Sequence, residues 1–202
     1  ELIRPILRGR DIKRYGYDWA DLWLINTHNG IKGKLDRIRI EDYPAVKAHL
    51  DQYWNKISTR ADKGDTPYNL RNCAYLDDFS KPKIVWKRIG SILRFSYDDR
   101  GCFGLDSTCF ASGSQLAYLT CVLNSKIGHY LLKDSPCTGT GDLLISVQAI
   151  EPLMIPMASN DSFEELLCRI LSGSKDAETN AFHAISDLYG FNREEREYIL
   201  MR

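Results

Sequence analysis

No stretch of this 202-residue sequence approaches the ~20 consecutive apolar residues that a helix needs to cross a bilayer. The first residues carry charge and strand-like side chains where a signal peptide has its apolar core, so the chain is read as cytoplasmic and without a membrane partner. Cysteine is present but unorganised. Cys73, Cys102, Cys109, Cys121, Cys137 and Cys168 form no C-x-x-C pair and have no histidine at zinc-site spacing, which leaves reduced structural thiols and no metal site. Internal repeats and low-complexity tracts are missing, and 44% apolar residues with 11% aromatics rule out wholesale disorder.

Net charge is missing as well, with 27 Lys+Arg against 27 Asp+Glu, and a chain of zero formal charge argues at first against a nucleic-acid partner. The distribution reverses that impression. Residues 1–100 carry 20 basic and 14 acidic side chains and residues 101–202 carry 7 and 13, so the halves stand at +6 and −6. Such asymmetry points to a basic face on part of the fold. The first residue is Glu1 rather than Met and a strand-like run begins at once, so a piece of a longer polypeptide is expected.

Signatures of catalysis are also wanting. Gly139-Thr140-Gly141 lacks the Lys-Ser/Thr of a phosphate loop and leads into an apolar run rather than a helix. Asp134-Ser135-Pro136-Cys137 has neither the second proline nor the aromatic with which amino-group DNA methyltransferases hold adenine, and no Gly-rich turn for S-adenosylmethionine accompanies it. Asp11-Ile12-Lys13 has the acid-x-lysine spacing of a metal-dependent nuclease, but no Pro-Asp partner precedes it. Four histidines and six cysteines indicate no acyl-transfer constellation. The chain is therefore expected to be non-catalytic, with no cofactor and no metal of its own.

What is there is a series of ordered segments. Residues 2–7 suit a strand ended by a turn at Gly9-Arg10-Asp11, and Trp23-Leu24-Ile25 suits a buried strand. Residues 41–57 predict one helix, capped by Asp42, with Val46, Leu50, Tyr53, Trp54 and Ile57 as a core face. Residues 58–72 read as a long exposed loop, and loops of that length in compact domains are functional or disordered. Ile84-Val85-Trp86 and Leu93-Arg94-Phe95 predict two strands joined near Gly90-Ser91, residues 102–111 add strand material, and residues 114–133 predict a helical region. Residues 143–157 predict final strands and an extended exit, and residues 159–202 a helical tail with 5 basic and 9 acidic side chains.

Three basic clusters, at residues 1–17, 60–72 and 81–94, mix Arg and Lys with Asn69, Asn72 and Tyr68. Lys and Arg neutralise phosphates and release counterions, while Arg and Asn pair with base edges, so the mixture suits DNA-reading loops on a rigid scaffold.

Taken in order, residues 3–15, 43–53, 60–72, 81–89, 105–110, 118–132 and 151–157 resemble the TaqI-like C-terminal specificity domain of adenine-specific restriction-modification methyltransferases, over roughly residues 3–157. Arg8-Gly9-Arg10-Asp11-Ile12 matches the family's basic-Gly-basic-Asp-Ile turn, Pro82-Lys83-Ile84 its Pro-Lys-Ile strand, and Leu123-Asn124-Ser125 its Leu-Asn-Ser helix signature, where Asn124 and Ser125 break or cap the helix rather than touch DNA. The ending around Leu188-Tyr189-Gly190 resembles that of fused restriction-modification enzymes.

The resemblance implies an α+β fold with a twisted, mainly antiparallel sheet, packed helices and a helical C-terminal extension, divided as a target recognition domain at 1–158 and an extension at 159–202. It implies double-stranded DNA as partner and an N-terminal methyltransferase domain of the same polypeptide, whose S-adenosylmethionine, and Mg²⁺ where a nuclease accompanies it, serve the parent enzyme. Arg8, Arg10, Lys13 and Arg14 are expected on phosphates or base edges, Arg60, Lys63, Tyr68, Asn69 and Arg71 in a reading loop, and Lys83, Lys87 and Arg88 on the backbone. The alternatives are an assembly module of a restriction-modification complex, with its basic half on an acidic subunit and no direct DNA contact, and a metal-dependent nuclease.

Overall fold

The computed structural model describes residues 2–201, which divide into two compact units: residues 2–5 with 23–79, and residues 6–22 with 80–201. The fold is α+β, with short and mostly antiparallel sheets and helices gathered largely in the second unit. Strand β1 (Ile3–Leu7) serves both units in turn. Its first half pairs antiparallel with β2 (Trp23–Ile25), and its second half pairs parallel with β6 (Phe103–Gly104). The division between units does not coincide with the boundary expected at residue 158, because the last helices share a core with residues near 120.

The first unit buries little apolar surface. Leu2 and Ile40 are its buried hydrophobic side chains among the described residues, and Trp23, expected inside, is 53% exposed. The helix expected over 41–57 is broken into α1 (Pro44–Asp51) and α2 (Trp54–Ile57), with Tyr53 between them in a non-helical conformation (φ −109°, ψ 16°). Neither piece holds a fully buried residue, and Tyr43 rather than Asp42 occupies the N-cap without a side-chain bond. Pro44 still takes the first helical position, where its missing N–H costs nothing. Tyr53 and Trp54 are 45% and 43% exposed, so the apolar period marks a face that meets Tyr68 at its edge rather than a core.

The second unit is built on a sheet in the order β5-β3-β7, formed by β5 (Phe95–Asp98), β3 (Lys83–Lys87) and β7 (Thr108–Ser112), all antiparallel. Ile84 and Trp86 face one side, packing with Phe95 and with Leu116 and Leu123 of α3 (Leu116–Asn124), and the Trp86 indole donates to the Ile145 carbonyl at 2.8 Å. Val85 faces the other side, against Leu7, Ile12 and Cys102. Burial on both faces explains the unbroken apolar run.

The free edge of β5 is covered rather than left open, as unpaired edges must be. Asn124 mimics a neighbouring strand: its Oδ1 accepts from Phe95 N at 3.1 Å and its Nδ2 donates to Phe95 O at 2.7 Å. Ser125 then breaks the helix, and its hydroxyl accepts from Gly128 N to start α4 (Lys126–Leu131). Gly128 lets the two helices close, since a Cβ there would lie 2.7 Å from the Leu123 Cα. Ser125 thus breaks and caps the helix as expected, whereas Asn124, expected in the same role, instead completes the edge of β5.

Residues 143–157, expected as strands, give only β8 (Leu143–Leu144), paired with β4 (Ile89–Gly90), and the short α5 (Val147–Ile150). The helical tail is as expected: α6 (Asp161–Leu171), α7 (Lys175–Leu188) and α8 (Arg193–Leu200). Phe163, Leu167, Ile170, Ala181, Phe182 and Ile185 join Tyr118 and Val122 in the largest core cluster. Tyr118 packs against Phe163 at 4.8 Å between ring centroids, and burial pushes its hydroxyl up to about 12. No helix among the described residues is long and apolar enough to cross a membrane.

Candidate nucleic-acid interface

The basic turn after β1 is built by its one carboxylate. Asp11, 4% exposed, accepts from the Arg8 backbone N at 2.8 Å and from the Arg8 guanidinium at 2.7 and 3.0 Å, while its own N donates to the Arg8 carbonyl at 2.9 Å, which closes the 3₁₀ turn Gly9–Asp11. The Arg8 side-chain hydrogen bond holds the Asp11 carboxyl below the usual carboxylate range, and Asp11 in turn raises Arg8. Arg8, expected on DNA, is therefore committed to the turn. Neutralising it leaves Arg10 as the outward cation.

Residues 13–17 are clamped to β5. The buried Ser96 hydroxyl donates toward the Lys13 and Gly16 carbonyls and accepts from Lys13 N, and Tyr15 N donates to Phe95 O at 3.0 Å. The Tyr17 hydroxyl donates to Asp98 at 2.9 Å, and burial raises its pKa. Arg14 is likewise committed: it donates to Glu178 at 2.7 Å and to the Asn124 carbonyl at 3.1 Å, and lies over the Tyr15 ring. Lys13 makes an exposed pair with Asp18 at 3.3 Å, of the kind that contributes little and yields readily to a competing anion.

Three of the expected cations, Arg10, Lys87 and Arg88, are carried by two segments that meet at this turn. Gly9 has room for the Lys87 stem and for little else, since a Cβ there would come within 2.9 Å of the Lys87 Cγ. Gly9 N donates to the Ser107 hydroxyl at 3.4 Å, and Arg88 N donates to the Ser107 carbonyl at 3.0 Å, so one residue links the turn to the end of β3. The Arg88 carbonyl also accepts from Ile145 N at 2.9 Å. Arg10, Lys87 and Arg88 are exposed, and none has an ion pair among the described residues. Local sequence gives no sign of Ser107, because its two partners lie far along the chain.

Lys83 corrects an expectation. Read as a backbone contact, it is 1% exposed, with its ammonium 2.5 Å from the Asp98 carboxylate, itself fully buried. The Asp98 oxygens further accept from the Tyr17 hydroxyl and from the backbone N of Arg100 and Cys102 at 3.1 and 3.0 Å. Such a pair holds the sheet and the basic turn together and presents no charge to a ligand.

In the first unit the expected reading loop proves to be held from within. Asn69, 2% exposed, donates from Nδ2 to the Ile38, His28 and Thr27 carbonyls at 2.9, 3.3 and 3.4 Å and accepts from the Thr66 hydroxyl at 2.6 Å. It ties its own loop to two backbone stretches, at 27–28 and at 38, and has no edge left for a base. The Arg60 guanidinium donates to the Asn69 carbonyl, and its buried Nε has no hydrogen-bond partner. Tyr68 donates its hydroxyl to Asp51 at 2.6 Å, which raises its pKa, and rests against Trp54 and the Lys47 ammonium. Lys63 is exposed, though its ammonium donates to Ser58 O at 2.9 Å, and Arg71 is exposed with no ion pair among the described residues. Arg71 and Lys63 are what remains of this set for a ligand.

With so little apolar burial around it, Asn69 carries much of the first unit's order. Asn69→Ala takes away the donor to the Ile38 carbonyl and the acceptor of the Thr66 hydroxyl, while the Thr27 and His28 carbonyls keep Leu70 N and Ile38 N, at about 1–3 kcal/mol. Hydrogen exchange is the measurement. Amides of residues 23–79 are expected to exchange faster in the variant, while those of β3, β5 and α3 keep their protection.

The turn after β1 thus carries exposed cations without an ion pair among the described residues, beside others that are held by carboxylates of the chain itself. Comparison with known families makes the class definite. The sequence model of the TaqI-like C-terminal specificity domain matches residues 4–143, and the chain belongs to that family. Membership supports a DNA-recognition role in restriction-modification. The match ends before residues 151–157 and the helical tail, although α6 and α7 share the core of α3. No curated protein matches the chain.

Proposed function

We propose that the chain is the DNA target-recognition domain of a site-specific adenine-N6 methyltransferase of a restriction-modification system, at work in the cytoplasm. It binds duplex DNA and presents it to a methyltransferase domain of the same polypeptide, which flips and modifies the adenine. The observation that carries this reading is the cluster of Arg10, Lys87 and Arg88, exposed around a turn whose own carboxylate is consumed by Arg8. Such cations release counterions on meeting phosphates. Arg71 and Lys63 are the first unit's contribution, and Lys13 adds a readily exchanged charge.

This chain's one glycine-rich loop is not built to hold S-adenosylmethionine. The loop at Gly139-Thr140-Gly141 runs into the two-residue strand β8 and not into a helix N-terminus that would face the cofactor. The methyl donor, and Mg²⁺ where a nuclease accompanies it, belong to the remainder of the enzyme.

The test is titration of the chain with random-sequence duplexes over a range of salt. Binding is expected with log K falling on log[salt] at a slope of roughly −3, one unit for each of the three clustered cations. Binding to polyglutamate as tight as to duplex would favour the assembly-module reading instead.

A further inference from the structure

The tip that follows Arg88 has a feature that phosphate contact does not use. Between β3 and β5 the chain presents Ile89, 40% exposed, and Ile92, 59% exposed, directly after Lys87 and Arg88. Single exposed aliphatics are ordinary on protein surfaces. Two of them on one short tip, next to cations without carboxylate partners, are a particular combination: the charges draw the tip to a polyanion, and the apolar ends have no use for its phosphates.

The tip is also firmly mounted. Ile89 and Gly90 pair with Leu144 and Leu143, Arg88 is held through both its backbone groups, and Leu93, 8% exposed, inserts into the cluster with Trp86, Phe95 and Leu116. The Lys87 chain lies across Gly90: a Cβ built there would be 3.5 Å from its Cδ, 3.8 Å from its Nζ and 3.7 Å from the Ile92 carbonyl. The ammonium and the Ile92 backbone thus both lie close to the space a side chain at Gly90 would fill. A wedge needs these properties, an apolar end, a base that does not yield, and flanking cations that hold it against the duplex.

We propose that Ile92 is an apolar wedge that enters the base stack and opens one step while Lys87 and Arg88 hold the adjoining phosphates. The proposal rests on the DNA-binding reading above and adds to it a way of sensing sequence through deformability. Steps that unstack easily accept the wedge at lower cost, so pyrimidine–purine steps are favoured without a base-edge hydrogen bond.

The test uses the whole chain and random-sequence duplexes carrying 2-aminopurine in place of adenine on one strand, a base whose fluorescence rises on unstacking. Wild-type chain is expected to raise the fluorescence in proportion to the duplex bound. Ile92→Ser is expected to bind with nearly unchanged salt slope and to lose the rise, Ile92→Leu to keep it, and Lys87→Glu to make the slope shallower by roughly one. If the wild-type chain shows no salt-dependent binding, the DNA-binding reading itself falls and the wedge with it. Binding without any rise, or an undiminished rise with Ile92→Ser, would overturn the wedge and leave the DNA-binding reading standing.

Discussion

Asp98→Ala is expected to cost about 3–5 kcal/mol of folding stability, the loss that follows when one partner of a buried ion pair is removed and the other stays behind uncompensated. The Lys83 ammonium, 1% exposed, loses its carboxylate and keeps the Lys81 carbonyl at 3.4 Å, which carries no countercharge. Three further donors lose their acceptor at the same time, the Tyr17 hydroxyl and the amides of Arg100 and Cys102. The double variant Lys83→Met/Asp98→Leu removes both charges and is expected to recover much of the loss, since a well-packed apolar pair replaces a buried ionic one at little cost. Thermal or denaturant unfolding, followed separately for the single and double variants, checks both. An Asp98→Ala variant as stable as wild type would show that the pair is not the support described.

The same variant separates fold from function. Tyr17 is one of the ties of the basic turn to β5, and the double variant restores packing without restoring that hydrogen bond. A double variant that folds well yet binds duplex more weakly would place the deficit in the positioning of Arg10 and not in lost charge, because Lys83 is buried in wild type as well.

How much of this was legible in the sequence depended on whether the deciding contact was local. The strand at Lys83–Lys87, the turn at Gly9–Asp11 and the break at Ser125 follow from apolar runs, a glycine and a helix-capping hydroxyl, all within a few residues. The burial of Lys83 does not. It depends on the register that sets Lys83 opposite Asp98 and on the turn that covers the Val85 face, both supplied by residues distant in sequence. Read locally, Lys83 is one cation in a basic run. Its one hint is the run of three apolar residues after it, which signals burial on both faces of the strand.

The first unit misled for a related reason. An apolar period of 46, 50, 53, 54 and 57 is normally a core face, yet here it ends half-exposed around Tyr68, and order comes from Asn69. Asparagine in a polar loop looks the same whether it faces a base or three carbonyls. Only the arrangement of Thr27, His28 and Ile38 around it decides, and none of those is near in sequence. Composition located the basic regions, and the internal carboxylates then determined which of their cations are available.

That last distinction yields a prediction of its own about DNA. Arg10→Glu and Arg88→Glu are each expected to weaken binding to every duplex and to make the salt slope shallower by roughly one, because each replaces an exposed cation that has no ion pair among the described residues. Arg71→Ala is expected to lower discrimination among sequences by about 1–3 kcal/mol, the difference a guanidinium makes by pairing with a base edge. Lys83→Gln and Asn69→Ala, though they lie in the same basic regions, should alter stability first and the salt slope hardly at all, since neither side chain reaches solvent. Binding isotherms at several salt concentrations, on random duplexes and on sequences selected by the wild-type chain, resolve the three behaviours. If Arg10→Glu and Arg71→Ala lower affinity equally on every sequence, the chain grips DNA without reading it through Arg71. An Arg10→Glu/Arg88→Glu variant that keeps the full slope would place the phosphate contacts on cations outside this turn.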